Sequence, residues 1–488
     1  MCSLRLSPRL AAGALILALV APATATAQQA SSGKVTPVAS IRLRGEMWNW
    51  FGDQPGGDYL YAGAIARLGL EQKRKNLEWR VEFAAPALLG LPDDAVTPAP
   101  QGLLGQGANY YKANGNATEA AGFFAKQAWF RLKTDDGRWQ ARLGRFEFSD
   151  GAETTPANGT LAAVKRTRIA QRLIGPFGFT HVGRSFDGLD LQYGTGTTRV
   201  TLMGAVPTTG VFDADGWGWV DDVALGYGAV TTRGLGKADR SELRLFGMYY
   251  RDGREEVVKV DNRPLAARQA DLEAINVNSV GGHYLQLLPT GAGPFDLMLW
   301  GVYQFGTWGA LDHVAWSGAA ELGWQPDVLK GLKPWIRVGG AASSGDDDNA
   351  DGTHGTFFQG LPTPRVYARF PFYNLMNLQE ASASLTLRPG TKTTLRADVR
   401  GLRLAEEKDG WYIGGGAFKD DDFGYAARPS NGWAGLATLL DLSADFRLDS
   451  HWTISGYGSY AIADGVIKTV YPSQSSGWLG YLELEWRW

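Results

Sequence analysis

The chain has 488 residues, and its 48 Lys and Arg nearly balance 50 Asp and Glu, so a formal net charge of −2 points to no nucleic-acid partner. It carries 64 Gly, 18 Trp, 18 Tyr and 21 Phe, and its single cysteine is Cys2. Beyond the first residues there is no apolar run of about 18 residues, which excludes helical membrane spans.

The N-terminus reads as an address. Arg5 and Arg9 precede an apolar run over 10–20, and Ala25-Thr26-Ala27 offers a small-x-small cleavage site before Gln28. This predicts a secretory signal peptide over 1–27 and a mature chain over 28–488. Cys2 leaves with the leader, so disulfides, zinc-thiolate sites and cysteine catalysis are excluded from the mature protein. No linker, composition break or fixed-period repeat divides 28–488, which reads as one domain.

Alternation of apolar and polar residues then predicts about eighteen strands. In chain order they lie near 36–50, 60–73, 76–85, 124–134, 137–148, 185–194, 197–207, 219–232, 238–252, 277–288, 293–307, 312–325, 333–343, 374–388, 391–405, 433–449, 451–464 and 476–488. The connections alternate short and long along the chain. The short ones carry turn residues, as in Arg74-Lys75-Asn76, Thr134-Asp135-Asp136-Gly137, Gly194-Thr195-Gly196 and Arg388-Pro389-Gly390. The long ones cover roughly 86–123, 149–184, 253–276, 344–373 and 406–432. Short periplasmic turns and long outer loops are the pattern of a bacterial outer-membrane barrel. The fold expected is all-β: a single transmembrane β-barrel of about eighteen antiparallel strands, with both termini periplasmic.

The last strand strengthens this. In Trp478–Trp488, Trp478, Gly480, Leu482, Leu484, Trp486 and Trp488 share one face, while Tyr481, Glu483, Glu485 and Arg487 share the other. An apolar face ending on tryptophan suits lipid contact and resembles the C-terminal strand by which the barrel assembly machinery recognises its clients. Outer-membrane lipid and lipopolysaccharide are the other partners expected of a Gram-negative outer-membrane protein.

The same alternation turns charges inward: Arg42, Arg44 and Glu46 in the first run, then Glu78, Arg80 and Glu82, Arg138 and Arg142, Glu242 and Arg244, Trp335 and Arg337, and Arg396, Asp398 and Arg400. Asp441, Asp445, Arg447, Glu483, Glu485 and Arg487 join them. Such charges either pair across strands and stiffen the wall or line a path. A guanidinium-rich wall relieved by carboxylates favours anions while keeping each contact weak. The 149–184 insertion adds Lys165, Arg166, Arg168, Arg172, His181 and Arg184, either facing lipopolysaccharide or folded inward as a constriction.

With these residues in view, the chain resembles the alginate export family of outer-membrane proteins. The resemblance is sharpest at Arg142-Leu143-Gly144-Arg145 with Glu147 and Gly151, in the stretch from Arg166 to Gly188, and at Ser344-Gly345-Asp346-Asp347-Asp348 with Phe357-Phe358 and Pro362. It implies an 18-stranded barrel whose arginine-lined constriction passes an acidic polysaccharide. The short turn at 448–451 departs from members that carry a long periplasmic turn there. The function expected is a channel for an alginate-like polyuronate, with substrate-path residues Arg42, Arg44, Arg80, Arg142, Arg166, Arg168, Arg172, Arg184, Arg244, Arg337, Arg396, Asp398 and Arg400.

Two other readings compete. A selective porin for small anions or carboxylated nutrients would use the same residue types. A barrel enzyme would need a histidine beside its nucleophile, and none of His181, His283, His313, His354 and His451 lies beside an obvious Ser or Asp constellation. Asp347, Asn349, Asp351 and Gly352 have part of a calcium-loop spacing, but Phe358 stands at the twelfth position where glutamate is needed. Neither a metal site nor a cofactor is expected.

Overall fold

The computed structural model describes residues 33–52, 56–235 and 239–488. The leader, with Cys2 and the cleavage site, lies outside the described residues. The wall consists of β1 (Val35–Asn49), β2 (Asp58–Lys73), β3 (Leu77–Leu89), β4 (Phe124–Lys133), β5 (Trp139–Phe146), β6 (Phe186–Gly194), β7 (Thr198–Pro207), β8 (Val223–Arg233), β9 (Ser241–Asp252), β10 (Ile275–Leu288), β11 (Phe295–Trp308), β12 (Leu311–Trp324), β13 (Trp335–Ser343), β14 (Leu378–Leu387), β15 (Thr393–Leu404), β16 (Gly435–Arg447), β17 (Trp452–Ala463) and β18 (Ser476–Arg487). Each pairs antiparallel with its neighbours, and β1 pairs with β18 from Ser40↔Arg487 to Asn49↔Trp478, closing the sheet. Closure satisfies every wall edge, the condition for a sheet to sit in lipid.

Every run read from the sequence is a wall strand. The largest boundary shifts fall at 219–222 and 374–377, where Asp222 and Asn377 take positive φ (55° and 51°) that an extended run does not allow. The strict alternation of connection lengths is corrected at two places. At the end away from the termini (the loop end), β11 and β12 are joined by Gly309 and Ala310 alone. Gly309 has φ +61°, and a Cβ there would strike the Asp271 carboxylate at 2.2 Å, so glycine permits this tight turn. At the end holding both termini (the turn end), the connection 325–334 is longer than a hairpin needs.

The outer face is apolar: Leu60, Leu68, Leu442 and Leu482 are 64–65% exposed. Aromatic side chains fringe this band, Trp139 against Tyr193 and Trp452 against Trp486 near the turn end, Tyr249, Tyr303 and Trp478 towards the loop end. The inner face carries the buried charges. Arg44 sits opposite Glu483 across the closing seam with an N–O distance of 2.6 Å.

The interior is not an open polar tube. Trp48, Trp50, Phe51, Tyr110, Phe212, Phe370, Phe372, Trp411 and Tyr471 are buried together in a core inside the loop-end half. Their rings interlock, Phe51 stacking on Tyr471 at 5.7 Å and Trp50 on Phe370 at 5.6 Å. Loops this long must bury their own apolar side chains, and the barrel mouth is the nearest place to do so.

Candidate functional site

The connection 147–185 folds into the barrel. The Asn158 side chain accepts from Thr160 N and Leu161 N and starts a short helix, Gly159–Val164. This continues as a π-helical turn, Lys165–Ile169, in which Ala170 N donates to Lys165 O at 2.9 Å. The wider turn distributes basic side chains in several directions. Lys165 reaches Glu242 on β9 at 2.6 Å, and Arg168 reaches Glu321 on β12 at 3.3 Å and Asp398 on β15 at 3.7 Å. Arg172 lies between the Trp300 and Tyr367 rings, at 4.9 and 4.5 Å. Arg184 donates to the carbonyls of Ala417 and Gly415. The wall grips the loop in return, Arg42 donating to Gly178 O at 2.7 Å. Gly63 on β2 matters here, because a Cβ would meet the His181 ring at 2.3 Å. Of the two placements open to the basic insertion, the structure has the inward one.

Below this loop, towards the turn end, lies a cavity of about 580 Å³. Its lining includes seven arginines, Arg166, Arg168, Arg337, Arg365, Arg369, Arg388 and Arg396, against three aspartates, Asp398, Asp441 and Asp445. Arg337 is neutralised by Glu321 at 3.0 Å and by Asp296, and Arg396 by Asp398 at 2.6 Å. Among the described residues, no carboxylate lies within ion-pair distance of Arg166, Arg365, Arg369 or Arg388. Arg365 donates only to the carbonyls of Phe370 and Pro371, at 3.1 and 2.8 Å. Arg369 stacks over Tyr457 and Tyr481 at 4.8 and 5.5 Å, and Arg388 over Trp335 at 5.4 Å. Burial and then the neighbouring Arg166 cation push the Arg388 pKa down, and burial does the same to Arg365. These are cations without a direct ion-pair partner among the described residues, an arrangement that attracts mobile anions.

A second cavity of about 550 Å³ adjoins it at Pro176 and Gly178. Here the charges are mixed: Arg42, Arg67, Lys73, Arg80 and Arg487 alternate with Glu71, Glu82, Glu147 and Glu485. Arg80 pairs with Glu82 and lies 3.6 Å from Glu71.

The predicted residues therefore separate into groups. Arg166, Arg168, Arg337, Arg396 and Asp398 line the larger cavity, and Arg42 and Arg80 the mixed one. Arg142 is held by Asp190 at 2.8 Å and Arg244 by Glu153 at 2.9 Å, both outside the two linings, while Arg400 is held by Glu380 and reaches the cavity-lining Asp398 at 3.7 Å. Arg44 and Arg172 are buried between loop and wall, and Arg184 is buried between the 147–185 and 405–434 loops. Of Arg142, Arg244, Arg337, Arg396 and Arg400, all read as inward-facing, only Arg337 and Arg396 line the same cavity, joined there by Arg388 from the Arg388-Pro389-Gly390 turn. Arg138 belongs to the exposed 134–138 turn rather than the inner face, pairing with Asp136 at 3.6 Å. Arg365 and Arg369 escaped the sequence reading; the signal available was two arginines four apart among Tyr367, Phe370 and Phe372.

Among the described residues, His283 bonds Glu242 at 2.9 Å, His313 bonds His354 at 2.9 Å, and His451 bonds the Arg487 carbonyl. Both ring nitrogens of His181 lack a partner among the described residues, and burial holds its pKa well below the usual range.

The family model described as "Alginate export" matches residues 106–473. No curated protein matches the chain. Among solved structures, the chain is similar to Pseudomonas aeruginosa OccK2 (OpdF), with a TM-score of 0.56 and 10% identity over 93% of this chain and 97% of that one. Acinetobacter baumannii OccAB2 gives a TM-score of 0.56 at 9% identity over 93% and 98%. P. aeruginosa OpdK with vanillate gives 0.54 at 9% identity over 93% and 98%. At such identities these likenesses establish a shared barrel fold.

Proposed function

The chain belongs to the alginate export family and forms an outer-membrane channel, and from that premise we propose that it passes an anionic, alginate-like polyuronate along its arginine-rich inner surface. The observation that carries this reading is the set Arg166, Arg365, Arg369 and Arg388, four guanidiniums around one cavity without a carboxylate partner among the described residues. A guanidinium stays charged at any physiological pH and offers a planar fork that matches a carboxylate. The paired arginines, Arg337 and Arg396, extend the positive surface at lower local strength. Together they supply weak, successive contacts, which is what conduction of a charged chain requires.

A second reading, a porin for small carboxylates, is favoured by one observation. Inward loops and the aromatic core fill much of the interior, and the cavities of about 580, 550 and 370 Å³ beside them are each of a size for a small acid. Single-channel conductance in planar bilayers separates the two. Polyuronate export predicts anion selectivity and block by uronate polymers but not by neutral glycans of similar length. A small-anion porin predicts equal anion selectivity with block by monomeric uronate and indifference to the polymer. A cation-selective pore would defeat both.

A further inference from the structure

A third cavity, of about 370 Å³, lies among the loops on the other side of the inward-folded chain. Trp50, Phe212, Phe418 and Tyr425 give it flat apolar walls, and Arg365 and Arg428 its positive charge. Its one acidic lining residue, Asp422, is engaged at Oδ1 by Gly424 N at 2.7 Å.

Several of its buried polar groups have no hydrogen-bond partner among the described residues. These are Trp50 Nε1, Tyr425 OH and Arg428 Nη1, on residues that are 0%, 5% and 3% exposed. Buried polar groups are normally satisfied, so three such groups on one cavity leave hydrogen-bonding capacity for a ligand. Arg428 is otherwise held fast: Nε donates to Gln101 O and to Tyr471 OH, each at 3.0 Å, and the guanidinium lies 5.3 Å from the Trp411 ring centroid. Among the described residues neither Arg428 nor Arg365 has a carboxylate within ion-pair distance. Backbone approaches closely too, a Cβ on Gly102 falling 3.2 Å from Arg428 Nη2.

We propose that this loop-end cavity is a second binding site of the channel, for a carboxylate carried on a six-membered ring. Arg428 and Tyr425 engage the carboxylate, and the aromatic walls take the ring face. Arg365 lines this cavity and the arginine-rich one at the turn end, so it is the point at which an acid passes between them. The proposal rests on the anion-channel reading, and its test is separable from it.

The purified mature barrel in detergent is titrated calorimetrically with glucuronate and with benzoate, using glucose as the neutral control. Saturable binding of either acid, with none of glucose, is expected; which acid binds distinguishes a sugar ring from an aromatic one. Tyr425→Phe deletes a hydroxyl that has no partner among the described residues, and Arg428→Gln deletes the charge. Each should weaken binding about 10-fold or more. Heat-modifiability checks that both variants remain folded, and Tyr425→Phe keeps the test valid if Arg428→Gln does not. Reversal potential is measured separately on the wild-type pore. An anion-selective pore that binds neither acid, or binds them equally in wild type and Tyr425→Phe, overturns the second site and leaves the channel reading standing. Acid binding lost in the variants of a pore without anion selectivity supports the site and defeats the channel reading.

Discussion

Reversing the charge of Arg369 is the sharpest perturbation of the proposed path. Its guanidinium lines the larger cavity, touches no carboxylate among the described residues and rests on Tyr457 and Tyr481. A carboxylate passing within about 4 Å of a unit charge gains about 1 kcal/mol in bulk water and about 4 kcal/mol at an effective dielectric of 20. A water-filled cavity lies near the first limit. Arg369→Glu changes the local charge by two units, so anion occupancy should fall by about 2 kcal/mol, roughly 30-fold. The lost cation–π contact costs only about 0.5–1 kcal/mol, which the barrel should tolerate. In planar bilayers the reversal potential should move towards cations, and block by polyuronate should weaken. Both effects should shrink between 0.1 and 1 M salt, as the Debye length falls from about 10 to about 3 Å. Arg400→Gln supplies the contrast. It leaves the Glu380 carboxylate with the Tyr373 hydroxyl alone and should act chiefly on stability, costing about 3–5 kcal/mol, because the Arg400 guanidinium does not itself line the cavity. If Arg369→Glu leaves reversal potential and block unchanged, anions do not use this cavity and the reasoning from unpaired guanidiniums is wrong.

Intact-cell labelling of cysteines placed at Asp348 and Asp421 should be strong, with none at Asp135 or Gly390; the opposite pattern would invert the topology. Mass spectrometry of the mature protein should find Gln28 at its N-terminus. Replacing Trp486 and Trp488 with serine should lower the amount of heat-modifiable barrel in the outer membrane, because Trp488 is 46% exposed at the end of the closing strand and Trp486 packs beside Trp452; normal accumulation would refute that role. Asp409, which accepts from Thr356 and Tyr412 hydroxyls at 2.6 Å each, has its pKa raised by burial from 3.8 to about 6. A raised carboxylate pKa means the folded loops bind a proton more tightly than the unfolded chain, so their stability is greatest at acid pH and falls between about pH 4 and 6. Proteolysis of the 344–377 and 405–434 loops should therefore rise over that window in the wild type and stay flatter in Asp409→Asn.

The wall was legible because its signal is local. A period of two is imposed by the backbone of each strand, so Leu43 and Leu482 reveal the lipid face, and Arg44 and Glu483 the inner one, without reference to any other part of the chain. Turn residues marked most hairpins for the same reason, and at Gly309 the geometry depends on Asp271 from another part of the chain. The filling of the barrel mouth was not legible, since Trp50, Phe370 and Tyr471 come from three loops and show no common period.

What the sequence determined by itself was the class of charge: a barrel whose inner face is rich in arginine. Which of those arginines remain free was decided only by folding. Arg244 and Arg369 are the same residue type, yet Glu153 neutralises one, while the other rests on two tyrosine rings with no carboxylate in ion-pair distance among the described residues. Arg44 finds its partner Glu483 across 439 positions of sequence. Whether a guanidinium is available to an anion depends on the nearest carboxylate in space, and that neighbour is set by the closure of the sheet and the path of the inward loops.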